Sequence, residues 1–182
     1  MASAFGHALA AVAIGKLGFK EVRSARFWIL GIICSILPDA DVIAFQFDIP
    51  YEHMFGHRGF THSLVFAAIM GFIVTIIFYR RISLFSLKGM SLVLFFFMCT
   101  ASHAFLDAFT DGGLGVAFFS PFDNTRYFFP WRPIKVSPIG VDSFFSEWGM
   151  RVVKSEMFWI GLPCVGIITL SIISARNNKR EN

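Results

Sequence analysis

The stretch GMSLVLFFFMCTASHAFLDAF, residues 89–109, decides the fold of this chain. It is apolar almost throughout and long enough for a membrane-spanning helix, which needs about 20 such residues. Its last third nevertheless contains His103 and Asp107. A spacing of i and i+4 puts both side chains on one helix face, so both can reach a single ion. The stretch therefore predicts a membrane helix with a polar site toward one end.

The composition agrees with a membrane protein. Apolar residues make up 55% of the 182 residues and charged residues only 15%, against about 25% in soluble domains. The net charge of +4 comes from short basic clusters between apolar runs, the arrangement of loops between membrane spans, so we expect no nucleic-acid partner. Cys34, Cys99 and Cys164 lie in apolar runs without CxxC spacing and are interpreted as small buried hydrophobic residues.

Five apolar stretches predict an all-α integral membrane bundle. They cover residues 3–15, 27–46, 62–79, 89–109 and 157–175. We expect four or five transmembrane helices in one membrane domain, 1–182, because the first stretch is short. Pro38 and Pro163 are expected to kink or end their helices. The segment 110–156 is rich in Gly, Pro and aromatic residues and is interpreted as an irregular cap on the outer face.

The basic residues predict the orientation. The loop 16–26 carries four Lys or Arg against one Glu, the loop 80–88 carries three and no acid, and the tail adds Arg176, Lys179 and Arg180. The connections 47–61 and 110–156 show no such excess. Alternating spans put the three basic segments on one side, which the positive-inside rule makes cytoplasmic. The site is then expected to face the outer, periplasmic side.

Ionisable side chains inside membrane helices are costly and indicate function. Here they are His7, Asp39, Asp41, His62, His103 and Asp107, with Glu156 at the mouth of the last span. Counted from the basic loops at about 1.5 Å per residue, Asp39 and His103 lie roughly 20 and 22 Å up and His62 about 27 Å up. These heights converge on the outer half of the membrane. Histidine and carboxylate ligands without thiolate suit Zn²⁺, with Mn²⁺ or Fe²⁺ as alternatives.

The stretch HMFGHRGFTHS, residues 53–63, holds three of the five histidines. Thr61 is predicted to cap the third span, with His62 in its first turn and His57 on the approach. Either His57 or His62, or both, could be a ligand. His53 is interpreted as a solvated loop residue.

Arginines near the expected site are candidates for binding a substrate phosphate. Arg58 is beside His57, and Arg126 and Arg132 lie among aromatic residues of the cap. The two cap arginines could equally contact phospholipid head groups.

Five motifs resemble the YdjM-like family of membrane-bound, metal-dependent hydrolases. They are Gly6-His7, LPDAD at 37–41, GHRGFTHSL at 56–64, SHAFLDAFTDGG at 102–113 and PFDNTRYFFPWRPIKVSPIG at 121–140. The resemblance covers nearly the whole chain. It implies an inner-membrane location, and because some members are described as binding LexA, it leaves a protein partner open.

The ligand order is also similar to that of zinc-dependent phospholipase C and the related single-strand nucleases. This similarity implies ligand positions for His7, Asp39, one or both of His57 and His62, His103 and Asp107. The chain has no histidine after His103, so one or two ions are implied rather than three. Glu156 would replace a missing carboxylate or carry a proton.

Together these features predict a hydrolase that cleaves a phosphoester of a lipid or lipid-linked substrate with metal-activated water. Asp39 would ligate or bridge, and Asp41 would orient a ligand or accept the proton of the water. Arg58, helped by Arg126 or Arg132, would neutralise charge on the phosphoryl oxygens. The alternative is a non-enzymatic membrane protein, either a metal or proton transporter or a regulatory partner. A transporter would need polar residues in the inner halves of the spans, where the sequence offers only small hydroxyls.

Overall fold

A computed structural model describes residues 1–177, and this part of the chain is helical. The helices are α1 (Ala4–Gly18), α2 (Ala25–Ile36), α3 (Leu64–Phe78), α4 (Leu87–Ala108), α5 (Val141–Phe144), α6 (Glu147–Glu156) and α7 (Leu162–Asn177). Short 3₁₀ helices cover Lys20–Val22 and Phe60–His62, and a longer one covers Leu37–Phe47. A π-helical segment, Met157–Gly161, joins α6 to α7. Lys179 and Arg180, used above for orientation, lie outside the described residues.

The predicted all-α membrane bundle is confirmed. Three helical stretches are long and apolar enough to cross a membrane: Ala25–Phe47, Leu87–Ala108 and Glu147–Asn177. The apolar helices α1 and α3 have 15 residues each and so reach about 22 Å, less than the roughly 30 Å of a hydrocarbon core. Both pack against the longer helices.

Two predicted boundaries were wrong. The last helical stretch begins at Glu147 rather than near residue 157, so residues 147–156 belong to a helix and not to an irregular cap. They are polar enough to escape a hydropathy criterion, yet Ser146 caps them by accepting the Gly149 N–H. The cap of α3 is Ser63, which accepts the Phe66 N–H at 3.0 Å, and Thr61 faces a carboxylate instead.

The two prolines act differently. The α-helix ends at Ile36, immediately before Leu37 and Pro38, and continues as 3₁₀ helix, as predicted. Pro163 leaves its helix continuous, because it follows directly on the π-helical segment. A proline has no N–H to donate to the preceding turn, and the wider π turn lies where that bond is missing.

An aromatic core fills the half of the bundle next to the basic loops. Phe27 and Phe95 stack with ring centroids 3.7 Å apart, and Leu92 and Phe96 are also fully buried. Gly31 makes this stacking possible, since a Cβ there would lie 2.6 Å from the Phe95 ring. The three cysteines are buried and unpaired, as predicted. The packing of this half depends on the fit between the shapes of its apolar side chains.

The last helix packs on α1 through small residues. Ala10 and Ala13 form a buried cluster with Ile160 and Cys164. One turn earlier, a Cβ on Gly6 would meet the Ile160 side chain at 3.0 Å. Small residues let membrane helices approach closely, and this contact fixes the position of Glu156.

The segment 109–140 covers the other end of the bundle. Phe109 stacks on Phe129 at 4.3 Å, and isolated bridges join Thr110 to Ile134 and Val116 to Tyr127. The Ala117 N–H donates to the Arg58 carbonyl at 3.0 Å. The cap is thereby tied to the loop that carries His57 and His62.

Candidate functional site

Helix α4 supplies the first two residues of the site. His103 and Asp107 are fully buried, one and two turns beyond Cys99 on the same face. His103 Nδ1 lies 2.7 Å from the Ser35 carbonyl oxygen. A carbonyl only accepts, so Nδ1 carries the proton and Nε2 presents a lone pair to the site.

Asp41 organises the histidine loop. It accepts hydrogen bonds from the Arg58 N–H at 3.1 Å and the Thr61 hydroxyl at 2.6 Å. Its oxygens also lie 2.6 Å from His57 Nδ1 and 3.1 Å from His62 Nδ1. Four groups of one loop therefore converge on one carboxylate, and His62 is turned so that its Nε2 faces α4.

The four convergent donors are Asp39, His62, His103 and Asp107, whose ligand atoms all lie within 4.8 Å of one another. His103 Nε2 is 3.0 Å from His62 Nε2 and 3.2 Å from Asp39 Oδ1. His62 Nε2 is 3.6 Å from Asp107 Oδ2. Asp39 reaches the group because the chain leaves the α-helix just before Pro38. The predicted convergence of separate segments is thus present.

These residues could bind a metal ion. Asp39 Oδ1 is buried without a hydrogen-bond partner, which is costly for a carboxylate oxygen, and Asp107 Oδ2 has an ion pair with Arg58 Nε at 3.0 Å. The Nε2 atoms of His62 and His103 face each other across 3.0 Å. Two lone pairs at this distance would repel, so a proton or a cation must lie between them. Zn–N bonds of about 2.0–2.1 Å separate two tetrahedral ligands by roughly 3.3 Å. The spacing of the donors therefore fits a divalent transition ion.

His57 belongs to a second group, with Asp41 and His62. It lies in the loop outside the helices, where burial lowers the pKa of its imidazole more than Asp41 raises it. The question of which loop histidine faces α4 is answered by geometry, since His62 does and His57 does not.

His7 flanks the four donors. Its ring stacks on His103 at 3.7 Å, and its Nε2 lies 3.5 Å from Asp107 Oδ1. Both ring nitrogens are buried without a hydrogen-bond partner. α1 therefore brings His7 to the site, beside Asp107 rather than among the four convergent atoms.

The three predicted phosphate-binding arginines lie in different settings. Arg58 is fully buried, with Nε 3.0 Å from Asp107 Oδ2, Nη1 on the Gly112 carbonyl and Nη2 on the Thr110 hydroxyl. The anion that it meets here is Asp107. Its backbone is left-handed, with φ of 62°.

Arg126 binds the backbone of the histidine loop. Its Nη1 donates to the His57 carbonyl at 2.9 Å and its Nη2 to the Tyr51 carbonyl at 2.6 Å. Arg132 is exposed, with its guanidinium over the Phe128 ring at 4.6 Å. Phosphate binding by these arginines stays a prediction.

Glu156 lies inside a continuous helical stretch, not at the mouth of a span. It accepts the Ser3 N–H at 2.5 Å and the Ser3 hydroxyl. The N–H of the preceding residue, Ala2, donates to Asp107 Oδ1 at 2.6 Å. Glu156 therefore positions the segment before α1 against the site. His53 is exposed, as predicted.

Sequence reasoning missed three contributors. The Ser35 carbonyl orients His103, the Thr110 hydroxyl binds Arg58, and residues 2–3 bridge Asp107 and Glu156. Two of these contributions come from the backbone, which carries no signal in residue identity. Thr110 could have been noticed, since it follows Asp107 by three residues.

The features so far define an integral membrane protein whose helices enclose a buried histidine–carboxylate centre. A family model described as YdjM inner membrane protein matches residues 1–178. Inner membrane protein YbcI of Escherichia coli (strain K12) is 38% identical over 163 residues, which cover 90% of this chain and 92% of that protein. No solved structure matches. The chain belongs to the YdjM family, as its motifs predicted, and both names agree with an inner-membrane location.

Proposed function

We propose that this protein is a membrane-embedded, metal-dependent hydrolase that cleaves a phosphoester of a lipid or lipid-linked substrate at the outer face of the membrane. The observation that carries the proposal is the group Asp39, His62, His103 and Asp107. Four separate segments direct its ligand atoms to within 4.8 Å of one another, and one of these atoms, Asp39 Oδ1, is buried without a hydrogen-bond partner.

The donors favour one divalent transition ion, with zinc as the first candidate. Two imidazoles and two carboxylates match its tetrahedral preference, and Mn²⁺ or Fe²⁺ can use the same donors. When bound, such an ion activates water and polarises a phosphoryl oxygen. Occupation of the second group would compete with the hydrogen bond between His62 Nδ1 and Asp41.

Neighbouring residues orient the side chains that would bind the metal, and one side of the site is accessible. The Ser35 carbonyl and Asp41 orient the imidazoles of His103 and His62, as groups bound to the second ring nitrogen of metal-binding histidines commonly do. The side chain of Asp39 is 13% exposed, whereas those of His62, His103 and Asp107 are 0% exposed. A substrate would therefore approach on the Asp39 side.

A lipid substrate is favoured by the surroundings of the site. The cap carries exposed aromatic residues, among them Phe119, Phe122 and Trp131, which suit the membrane interface. The basic loops lie at the opposite end of the helices, and by the positive-inside rule this arrangement supports the proposal of a site at the outer face.

One observation favours a second candidate, a non-enzymatic membrane protein with a structural ion. Three of the four donors are fully buried and Arg58 lies against Asp107, and closed sites are typical of structural metals. Conduction is less favoured, because the aromatic core lies between the site and the basic end. The buried hydroxyls of Thr75 and Thr100 there bind carbonyls of their own helices.

Metal analysis of the full-length protein, purified in detergent, tests the centre. We expect about one equivalent of transition metal per chain in the wild type, and loss of it in His103→Ala because two of the closest contacts disappear. His53→Ala, in the exposed part of the loop, is the matched control and should keep the metal. Wild-type protein that binds no transition metal would sink the proposal.

Hydrolysis is tested separately on phospholipids and lipid-linked phosphates. Turnover by the wild type and not by His103→Ala supports the hydrolase. Full metal occupancy without turnover on any of these substrates would favour the structural candidate.

A further inference from the structure

Two groups of basic residues lie at the end of the bundle opposite the metal centre, and they differ in what they bind. Arg23 is used within the protein, donating from Nε to the Gly15 carbonyl at 3.0 Å and from Nη2 to the Lys16 carbonyl at 2.8 Å. Lys16 and Arg23 also lie over the Trp28 ring, at 5.4 and 5.9 Å. This group caps the end of α1.

The second group surrounds a cavity of about 560 Å³. Arg26 enters from the start of α2, and Arg80 and Arg81 follow α3. Arg26 donates a hydrogen bond from Nη1 to the Phe78 carbonyl at 2.7 Å, and Arg80 donates one from Nε to the Ile77 carbonyl at 3.1 Å. These two bonds neutralise the carbonyl end of α3, where an anion would otherwise be repelled.

Most of the N–H groups of this second group remain free for a ligand. Among the side chains that the structure describes, no carboxylate lies within 4.0 Å of Arg26, Arg80 or Arg81. Arg81 is exposed and makes no side-chain hydrogen bond to the described part of the chain. Three guanidinium groups with one concave surface between them are suited to a phosphate group.

The apolar walls identify the source of that phosphate. Ile77, Phe78 and Ile82 line the same cavity. It continues into a neighbouring one of about 460 Å³ that shares Ile77, Arg80 and Ile82 and adds Ile76 and Leu84. A free phosphate ion has no use for this apolar extension, whereas the glycerol and upper acyl chains of a phospholipid would cover it.

We propose that Arg26, Arg80 and Arg81 form a binding site for the head group of one anionic phospholipid, in the leaflet opposite the metal centre. Basic pockets between membrane helices bind such head groups. The site is independent of the proposed hydrolase activity.

Native mass spectrometry of the full-length protein, with equal amounts of phosphatidylglycerol and phosphatidylethanolamine, tests the site. We expect the wild type to retain one phosphatidylglycerol in preference to phosphatidylethanolamine. Each lost arginine should weaken retention about fivefold, so that R80Q/R81Q loses roughly 25-fold. Lys88→Gln removes an exposed charge at the same end that lines a different cavity, and it should retain the lipid as the wild type does.

Two further measurements complete the test. R80K/R81K keeps the charge and should recover most of the binding, and the thermal unfolding midpoints of all variants in detergent should be close to that of the wild type, which shows that they are folded. Equal retention of the two lipids, unchanged retention by R80Q/R81Q, or displacement of the lipid by excess inorganic phosphate would overturn the proposal.

Discussion

Helix α4 runs through two regions that differ in how they pack, although one buried face serves both. Toward the basic end this face carries Leu92, Phe96 and Cys99, and toward the cap it carries His103 and Asp107. In the first region the contacts are stacked rings and close helix approaches. In the second, His103 and Asp107 make directed hydrogen bonds and ion pairs in addition to the ring stack of His103 on His7.

The comparison teaches where ligand atoms should be sought. Six buried side-chain N or O atoms in the described part of the chain lack a hydrogen-bond partner, and five belong to His7, Asp39, Arg58 and Asp107. The sixth is the Tyr79 hydroxyl. The threonine hydroxyls of the aromatic region bond to carbonyls of their own helices. Near the cap, Arg58 Nε and Asp107 Oδ2 face each other as an ion pair at 3.0 Å, whereas Asp39 Oδ1 and the two ring nitrogens of His7 have no hydrogen-bond partner and are candidates for binding a ligand.

The largest expected effect comes from the aromatic region. Phe95→Ala should remove the stack with Phe27 and leave a cavity, at a cost of about 3 kcal/mol, since lipid offsets part of the transfer term found in soluble cores. Thermal unfolding in detergent measures this loss. Metal content per folded chain should stay that of the wild type. Loss of metal together with stability would show that the two regions are coupled, and would break the comparison.

A smaller effect is expected from the polar region. Asp41→Asn replaces an acceptor of four hydrogen bonds by an amide, whose N–H₂ faces donors. His62 then loses its orientation, and metal affinity should fall about 10- to 100-fold, as when other groups that orient metal-binding histidines are lost. Competition with a fluorescent chelator measures the affinity.

Asp48→Asn is the matched control for Asp41→Asn. Asp48 is exposed and has a left-handed backbone, with φ of 53°, which asparagine tolerates. It should bind metal as the wild type does. Unchanged affinity in Asp41→Asn would mean that Asp41 does not position His62.

The smallest effect is expected on the cap surface. Partial burial by itself would raise the pKa of Asp111. Hydrogen bonds from Lys135 at 2.7 Å and from the Val136 N–H lower the pKa by more than burial raises it, so the pKa lies below its ordinary value of 3.8. The ionised form therefore stabilises the fold above that value, and this contribution is lost as the pH falls through the lowered pKa.

Asp111→Asn should accordingly cost about 0.5 kcal/mol near neutral pH, as for other surface ion pairs. The difference from the wild type should vanish in acid, as unfolding measured across the pH range will show. A difference that is constant with pH would assign the effect to the amide geometry and not to charge.

The polar end of α4 could be predicted because spacing alone puts His103 and Asp107 on one face. Pro38 likewise predicts the end of the α-helix, where the change to a 3₁₀ helix brings Asp39 inward. In both cases the position of the side chain depends on local backbone geometry, and residue type and spacing determine that geometry.

The partners of the charged side chains could not be predicted in the same way. Arg58 stands between two histidines, yet its guanidinium reaches Asp107, Thr110 and Gly112, which lie 49 to 54 residues further along the chain. Asp41 binds loop residues that lie 16 to 21 positions further on. Such contacts depend on how the cap folds over the bundle, and no periodicity encodes that.

The π-helical segment Met157–Gly161 has a consequence for the phase of the last helix. An α-helix turns about 100° per residue, so positions eight apart, such as Glu156 and Cys164, would differ by about 80°. A π turn absorbs one extra residue, which reduces the offset to roughly 20° in the opposite sense. Glu156 and Cys164 can then both face α1, where they meet Ser3 and the alanine face. One helix is thereby kept in register with a polar contact near the candidate metal site and with an apolar contact deeper in the bundle.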